Sequence, residues 1–498
     1  TEGDPFCRAL GELQRGEVGL GGGTFLERTV VSVDHLLAAA PASIEADLQL
    51  LRDIVFGLST AGAETNALAA FALATTNELP VAEQRIADTI SALCDYDPPA
   101  HPDVPPPIPL DGVEPFDIAN SACPSWPRFG NIQSNNVFPY LFDGTGTGYW
   151  SLNYTVEPGG WIELHGEYPD TRFFALHPND QDTNNLPSLR DVDIVPDDGS
   201  GNPLLAELEE GQPKDWTVVA RFEPPPSEAE PNTIYLGETK NGQPNTRGVL
   251  LYRLYGVTDT STLDGGVDLP SVTVHDADGE IVERYERCDG YPEGYEPPTG
   301  LPLFPSLLIP DSRATDPPSI DASRSWDAPV DILANQDAVY WGSNYSSAFG
   351  DLFVLRAKAP RSPDTRGGEA VWEVPDADLR YITVCNYNFW AGRPNTCALE
   401  NELAVDDEGR YTIVVTTPEN RPEGATADQG VTWFDWGPFL DGTISFRAGL
   451  RGDPFAAALE TALTGGEVAP EVEPFLPDAT YCDPSVFDAG GAGACFAS

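Results

Sequence analysis

Methionine is absent from this 498-residue chain, and only three of its 27 basic residues are lysines. A chain that begins at Thr1 and lacks methionine predicts the removal of a signal peptide from an exported protein. No run of about 20 apolar residues occurs, so the sequence predicts no membrane-spanning helix. We therefore expect a secreted, extracellular or cell-surface location.

Positive charge is also scarce. The chain has 79 acidic residues against 27 basic ones, a net charge of −52. A field of that sign repels nucleic acid and anionic lipid, so neither is expected as a partner. Because salt screens self-repulsion, an acidic, lysine-poor surface is typical of a halophilic source. Hydrophobic residues make up 41% of the chain, which predicts a folded protein.

The eight cysteines show no CxxC spacing, so a zinc or redox site is not indicated. In an exported chain, an even number of cysteines predicts disulfides. Domain layout favours sequential pairing over the alternatives. The expected pairs are Cys7–Cys94, Cys123–Cys288, Cys385–Cys397 and Cys482–Cys495.

Composition divides the chain into helical, proline-rich and strand-rich parts. Apolar residues at helical spacing, clearest over 44–58, predict a helical bundle. Later, short strands separated by Gly-containing turns predict sandwiches. The expected fold is mainly β with an N-terminal α-helical bundle and two tandem antiparallel jelly-roll-like β-sandwiches. The expected boundaries are 1–98 for the bundle, 99–120 for a linker, 121–295 for the first sandwich, 296–330 for a second linker, 331–450 for the second sandwich, and 451–498 for a C-terminal helix and disulfide-closed tail.

An internal repeat supports the two sandwiches. Residues 149–169 align without a gap to residues 340–360, and seven of the 21 positions are identical. After 17 extra residues in the second copy, the strand that begins at Arg172 aligns with the one that begins at Arg380. Further on, Arg253 aligns with Arg447. Order and approximate spacing agree, which predicts two copies of one fold.

The repeat carries a family resemblance. The first copy has Tyr-Trp-Ser-Leu at 149–152, Pro-Asp-Thr-Arg-Phe at 169–173 and Leu-Tyr-Arg-Leu-Tyr-Gly at 251–256. These motifs resemble the bacterial domain of unknown function numbered 1214. The second copy resembles it at 430–433 and 441–443 but lacks the Leu-Tyr-Gly that follows Arg253. The resemblance implies a jelly-roll-like sandwich and no known reaction, and the N-terminal segment resembles helical domains of exported actinobacterial proteins.

Histidine and acidic loops are the only metal candidates. His165 and His177 could face each other on neighbouring strands and bind a metal, although the second copy has Arg356 and Cys385 at those places. Calcium is the one cofactor that the acidic loops leave open. Its weak candidate ligands are Asp180, Asp182, Asp276 and Asp278. Solvated turns are the simpler interpretation.

Two aromatic clusters and two sequons complete the candidate sites. Trp390, Trp433 and Trp436 could stack on sugar rings or on another subunit, or else pack in the core. Asn153 and Asn344 stand in glycosylation sequons at equivalent repeat positions, which also suits a structural role.

Catalytic motifs are missing: the sequence has no Gly-x-Ser-x-Gly, Walker loop or His-Glu-x-x-His. This absence favours a non-enzymatic role. We expect a secreted or cell-surface structural or binding protein, with self-association or cell-surface polysaccharide as the partner. The alternatives are a carbohydrate-binding or carbohydrate-active protein and a metal-dependent enzyme.

Overall fold

The computed structural model describes most of the strand-rich part of the chain and part of the helical segment. Its described residues are 4–14, 18, 25–59, 82, 85–86, 89–90, 92–94, 126, 146–182, 184–258, 264–287, 314–322, 335–365, 369–374, 376–388, 393–437, 441–449, 454–463 and 467–497.

The N-terminal segment is helical. It contains α1 (Pro5–Gln14), α2 (Phe25–Leu37) and α3 (Glu45–Ser59). Apolar side chains spaced three or four residues apart are buried on one face of each helix. Among them are Phe6, Leu10 and Leu13 of α1 and Leu48 and Leu51 of α3. The predicted Cys7–Cys94 disulfide ties this segment together.

The first sandwich consists of two facing sheets. Its strands are β1 (Gly148–Thr155), β2 (Trp161–Glu167), β3 (Phe173–Asn179), β4 (Leu189–Arg190), β5 (Asp215–Arg221), β6 (Thr233–Tyr235), β7 (Arg247–Tyr255), β8 (Ser271–His275) and β9 (Ile281–Tyr285). One sheet has the order β1-β7-β3-β4 and the other β6-β5-β2-β8-β9. Strand alternation buries Trp216, Val218 and Ala220 of β5 between them.

The second sandwich has the same plan. Its strands are β10 (Asp321–Ala322), β11 (Ala338–Ser346), β12 (Leu352–Lys358), β13 (Tyr381–Asn388), β14 (Arg393–Leu399), β15 (Arg410–Thr416), β16 (Val431–Asp435), β17 (Asp441–Gly449) and β18 (Asp478–Cys482). They form sheets of order β10-β11-β17-β13-β14 and β16-β15-β12-β18. The fold class predicted from the sequence is confirmed.

Strand register shows the repeat residue by residue. Tyr149 pairs with Arg253 in the first copy, and Tyr340 pairs with Arg447 in the second. The antiparallel ladders are interrupted at one equivalent place in each copy, because β5–β6 and β15–β16 are parallel pairs. The sheets that contain β1 and β11 are called the A sheets below, and those that contain β2 and β12 are called the B sheets.

The segment 451–498 also contributes to the second sandwich. It contains α4 (Pro454–Leu463), then β18, which pairs with β12 as β8 pairs with β2, and then α5 (Pro484–Ala497). The predicted disulfides Cys385–Cys397 and Cys482–Cys495 are present, while Cys123 and Cys288 lie outside the described residues. Helices long and apolar enough to cross a membrane are not found in the part of the chain that the structure describes.

Candidate functional site

The two histidines proposed for a metal site are separated, so their predicted pairing is wrong. His165 lies on β2 in a B sheet, whereas His177 lies on β3 in an A sheet. The sequence placed them on neighbouring strands, but a sandwich sends these successive strands to opposite sheets. Moreover, the His165 side chain is 42% exposed and its Nδ1 lies 3.4 Å from Asp197 Oδ2.

The repeat explains His165. Its counterpart Arg356 donates to Asp406 at 2.9 Å. Asp197 and Asp406 hold equivalent places, because the residue before each forms a bridge to Trp216 of β5 or to Tyr411 of β15. A basic side chain thus pairs with the turn carboxylate in both copies. His165 has a structural partner of the same kind as Arg356.

The acidic loops use their carboxylates for turn formation. Asp180 is almost fully buried, and its two oxygens accept hydrogen bonds from the backbone N–H groups of Asp182, Asn184 and Lys240. Similarly, Asp276 accepts from the backbone of Asp278 and of Glu280. Asx-type turns account for the local contacts, and the Lys240 contact joins Asp180 to a second loop. Among the described residues, no three His, Cys, Asp or Glu side chains converge as a metal site would require.

The tryptophans are engaged within the second sandwich. Trp436 is buried and packs edge-on against Tyr345, with ring centroids 4.5 Å apart. Trp433 is half-buried, and the guanidinium of Arg421 lies 4.5 Å from its ring centroid. Trp390 lies outside the described residues.

The two sequon asparagines differ in exposure. Asn153 is exposed on β1. Its counterpart Asn344 is half-buried and its Oδ1 accepts a hydrogen bond from Thr443 Oγ1 at 2.6 Å. Only the first therefore presents an open side chain.

The main polar cluster of the structure was not singled out from the sequence. Within the described residues, four arginines are nearly inaccessible: Arg172 is 0%, Arg253 5%, Arg380 3% and Arg447 7% exposed. They form two repeat-related pairs, 172 with 380 and 253 with 447. Arg253 and Arg447 lie on β7 and β17, whereas Arg172 and Arg380 directly precede β3 and β13, and all four stand where the two sandwiches meet. A signal existed, since each recurs at an equivalent strand position in a chain with few cations.

One pair exchanges partners across the interface. Arg380, from the second sandwich, donates from both terminal nitrogens to Asp191 of the first, at 3.0 Å each. Asp191 also accepts from the backbone N–H of Phe174 at 3.1 Å. The carboxylate is thereby held in its own sandwich while it binds the other one.

The reciprocal contact involves Arg172. It donates to Glu400 and, at 2.8 Å, to Asp364 of the second sandwich. Glu400 accepts from the backbone N–H of Ile382 at 2.9 Å, and Ile382 is the repeat counterpart of Phe174. Asp191 and Glu400 therefore perform the same task in the two copies. Such i-to-j and j-to-i contacts are typical of a two-fold interface, here within one chain.

Tyrosines surround the other pair. The Arg253 guanidinium lies 5.3 Å from the Tyr149 ring centroid, and Arg447 lies 5.3 Å from that of Tyr255. Arg447 donates to the Tyr149 hydroxyl at 3.3 Å, so Tyr149 contacts an arginine of each sandwich. Cation–π contacts gain strength where water is excluded.

Tyr255 and Tyr381 stack across the interface with ring centroids 5.5 Å apart. Space for Tyr381 comes from Gly449, because a Cβ there would lie 2.2 Å from the ring. Tyr255 and Gly449 are equivalent positions of the repeat. The second copy thus has a glycine where the first has an aromatic ring, and this glycine leaves room for Tyr381. Burial raises the pKa of Tyr381 well above its ordinary value.

One margin of the cluster is titratable. His177 Nε2 lies 3.3 Å from Asp337 Oδ2, and Asp337 also accepts from Ser188 Oγ at 2.7 Å. Burial, reinforced by Arg253, lowers the pKa of His177 well below its ordinary value. Burial also raises the pKa of Asp337. The His177 imidazole is therefore favoured in its neutral form.

The helical segment packs on the same region. Tyr149, Phe173, Leu251, Tyr255 and Tyr381 belong to one apolar cluster with the buried residues of α1–α3. Three units thus share one core. Chemically, the arrangement offers hydrogen-bond donors, positive charge and aromatic faces.

Comparison with known proteins adds no assignment. No protein-family model matches the chain, and no curated protein matches it. Among solved structures, an uncharacterized protein from Burkholderia cenocepacia is similar at 12% identity and a TM-score of 0.42, over 89% of this chain and 97% of that one. A structural-genomics target from Vibrio parahaemolyticus is similar at 13% identity and a TM-score of 0.35, over 71% of this chain and 92% of that one.

Proposed function

We propose that the chain is a non-catalytic structural or binding protein, secreted or displayed at the cell surface, whose two sandwiches act as one rigid unit. The observation that carries this proposal is the reciprocal ion-pair exchange between Arg172 and Glu400 and between Arg380 and Asp191. Buried charges of this kind fix one geometry, because an unpaired charge in the interface is costly.

The disulfides support the location. Three are present in the described part of the chain, and disulfides persist in oxidising compartments such as the cell exterior. A net charge of −52 keeps such a protein dispersed in salt.

Calorimetric unfolding tests the rigid unit. We expect both sandwiches to unfold in one cooperative transition that moves to lower temperature when dithiothreitol is added. Separate transitions for the two sandwiches, or a transition that the reductant leaves in place, would contradict the proposal.

A terminal strand with exposed apolar side chains favours self-association as the binding activity. Among the described residues, strand β9 ends the B sheet of the first sandwich, and its Ile281 and Val282 are 50% and 57% exposed. Unpaired edges with apolar side chains are templates for pairing with another chain. A second copy, paired through β9, is the occupant that we propose.

Sedimentation measures this association. We expect a particle heavier than 53.6 kDa, with or without calcium, and a monomer for Val282→Lys. Val195→Lys is the control, because Val195 is 53% exposed but lies outside the strands. A strict monomer in both conditions would remove the assembly part of the proposal and leave the rigid unit intact.

A further inference from the structure

Two buried side chains of the interface, Tyr381 in the ring stack that crosses it and His177 at its margin, have polar atoms without a hydrogen-bond partner among the described residues. Tyr381 is fully buried, and its hydroxyl has no hydrogen-bond partner among the described residues. His177 is 1% exposed, and its Nδ1 also has no hydrogen-bond partner among the described residues. An unsatisfied polar group is costly to bury, which is why nearly all are paired in folded proteins.

Both groups belong to the arginine–tyrosine cluster. The Tyr381 ring stacks on Tyr255, whose hydroxyl accepts from Asn335 at 2.9 Å. Arg447 lies 5.3 Å from the Tyr255 ring centroid. Tyr381 pairs with Gly449 on β17, and Arg447 stands two residues before Gly449 on the same face of that strand, so Arg447 is a diagonal neighbour of Tyr381.

The donors define the chemistry of a ligand. A phenol O–H needs an acceptor, and guanidinium groups favour a negatively charged one. Carboxylate and phosphate oxygens satisfy both conditions, and arginine recognises their planar or tetrahedral oxygens well. The ring faces of Tyr149 and Tyr255 exclude water, which strengthens such a bond.

We propose that a small oxyanion, either a carboxylate or an inorganic phosphate, binds between the two sandwiches and accepts a hydrogen bond from Tyr381. Arg253 and Arg447 supply the positive field, and His177 lies at the margin of the site. Because the groups come from both copies of the repeat, the site exists only when the sandwiches are docked.

The test compares two tyrosines that differ only in place. Tyr381→Phe removes the proposed contact. Tyr411→Phe is the matched control, because Tyr411 is equally buried and its hydroxyl is equally unpartnered, but it lies inside the core of the second sandwich. Neither hydroxyl forms a hydrogen bond within the described chain, so both variants should fold.

Titration calorimetry is carried out on the intact dialysed protein with inorganic phosphate and, separately, with acetate and citrate. We expect one class of anion to bind the wild type and the Tyr411→Phe variant equally. Its dissociation constant should rise about tenfold in Tyr381→Phe, as for loss of one charge-assisted hydrogen bond. Native mass spectrometry of the protein before dialysis should show the same anion as an added mass.

Absence of binding by either anion class, together with no added mass, would overturn the proposal. Equal weakening in both tyrosine variants would also overturn it, because the effect would then be general. Neither result would affect the rigid-unit proposal, which depends on the Arg172 and Arg380 ion pairs.

Discussion

The outer faces of the two B sheets differ although their strands are equivalent. In the first sandwich, β2 presents Glu163 and His165 to solvent. At the position of Glu163 the second sandwich has Val354, which is fully buried. Helix α5 covers that face through Phe487, and the Cys482–Cys495 disulfide holds the helix to β18. The same fold thus has an open polar face in one copy and a covered apolar face in the other. The difference lies in the outward-facing residues of one strand, such as Glu163 on β2 and Val354 on β12.

The A sheets show the opposite behaviour. Around Arg253 and Arg447 their outer faces are buried in both copies, and arginine stands at equivalent positions. The A-sheet interface therefore depends on residues that the two copies share, whereas the outer faces of the B sheets differ between the copies.

Exchanging the B-sheet residues should have the largest effect. Val354→Glu places a carboxylate beneath α5 with no cation provided, and we expect it to cost about 3–5 kcal/mol of unfolding free energy. The reverse change, Glu163→Val, should alter stability by about 0.5 kcal/mol or less, because that face is open. Urea unfolding of both variants measures the difference, and equal costs would break the comparison.

Removal of one interface arginine should have an effect close to that. Arg380→Met leaves Asp191 buried without its cation, and we expect a loss of about 3–4 kcal/mol. Arg361→Met is the matched control, since Arg361 pairs with Asp376 at an exposed site, where pairs contribute about 0–1 kcal/mol. If the two losses were alike, the interface would not be what joins the sandwiches.

The disulfides provide a third contrast. Replacement of Cys482 and Cys495 by serine opens a 13-residue loop, which the chain-entropy model values at about 3 kcal/mol. We expect α5 to detach and hydrogen exchange to increase in β12. Replacement of Cys385 and Cys397 opens a similar loop, but β13 and β14 remain paired, so exchange there should change less. Exchange that rises equally in both strand pairs would contradict the role of α5 as a cover.

The sequence predicted the repeat because aromatic, glycine and arginine anchors recur in order. The alignment, which matches Tyr149 with Tyr340 and Arg253 with Arg447, agrees with the strand pairing, in which Tyr149 lies opposite Arg253 and Tyr340 lies opposite Arg447. It did not predict that β2 and β3 belong to different sheets, since strand spacing does not encode which sheet a strand joins. The pairing of His165 with His177 was wrong for that reason.

The contacts between the two sandwiches could not be predicted from the sequence for a related reason. Arg172 and Glu400 are 228 positions apart, and nothing local marks them as partners. The one sequence signal was that arginine recurs at equivalent positions of the repeat, 172 with 380 and 253 with 447, which suggests a common buried role.

The smallest expected effect concerns pH and the buried His177. Burial holds the pKa of His177 below that of the unfolded chain, so acid protonates the unfolded state first and stability falls as pH drops below about 6.5. One such proton contributes up to about 1.4 kcal/mol per pH unit. Asp337, whose pKa is raised, acts in the opposite direction nearer its own ordinary value. We expect His177→Gln to flatten the stability profile between about pH 5 and 6.5, and urea unfolding across that range measures the change. If the profile of His177→Gln kept the slope of the wild type, the buried margin of the interface would not be what makes this protein sensitive to acid.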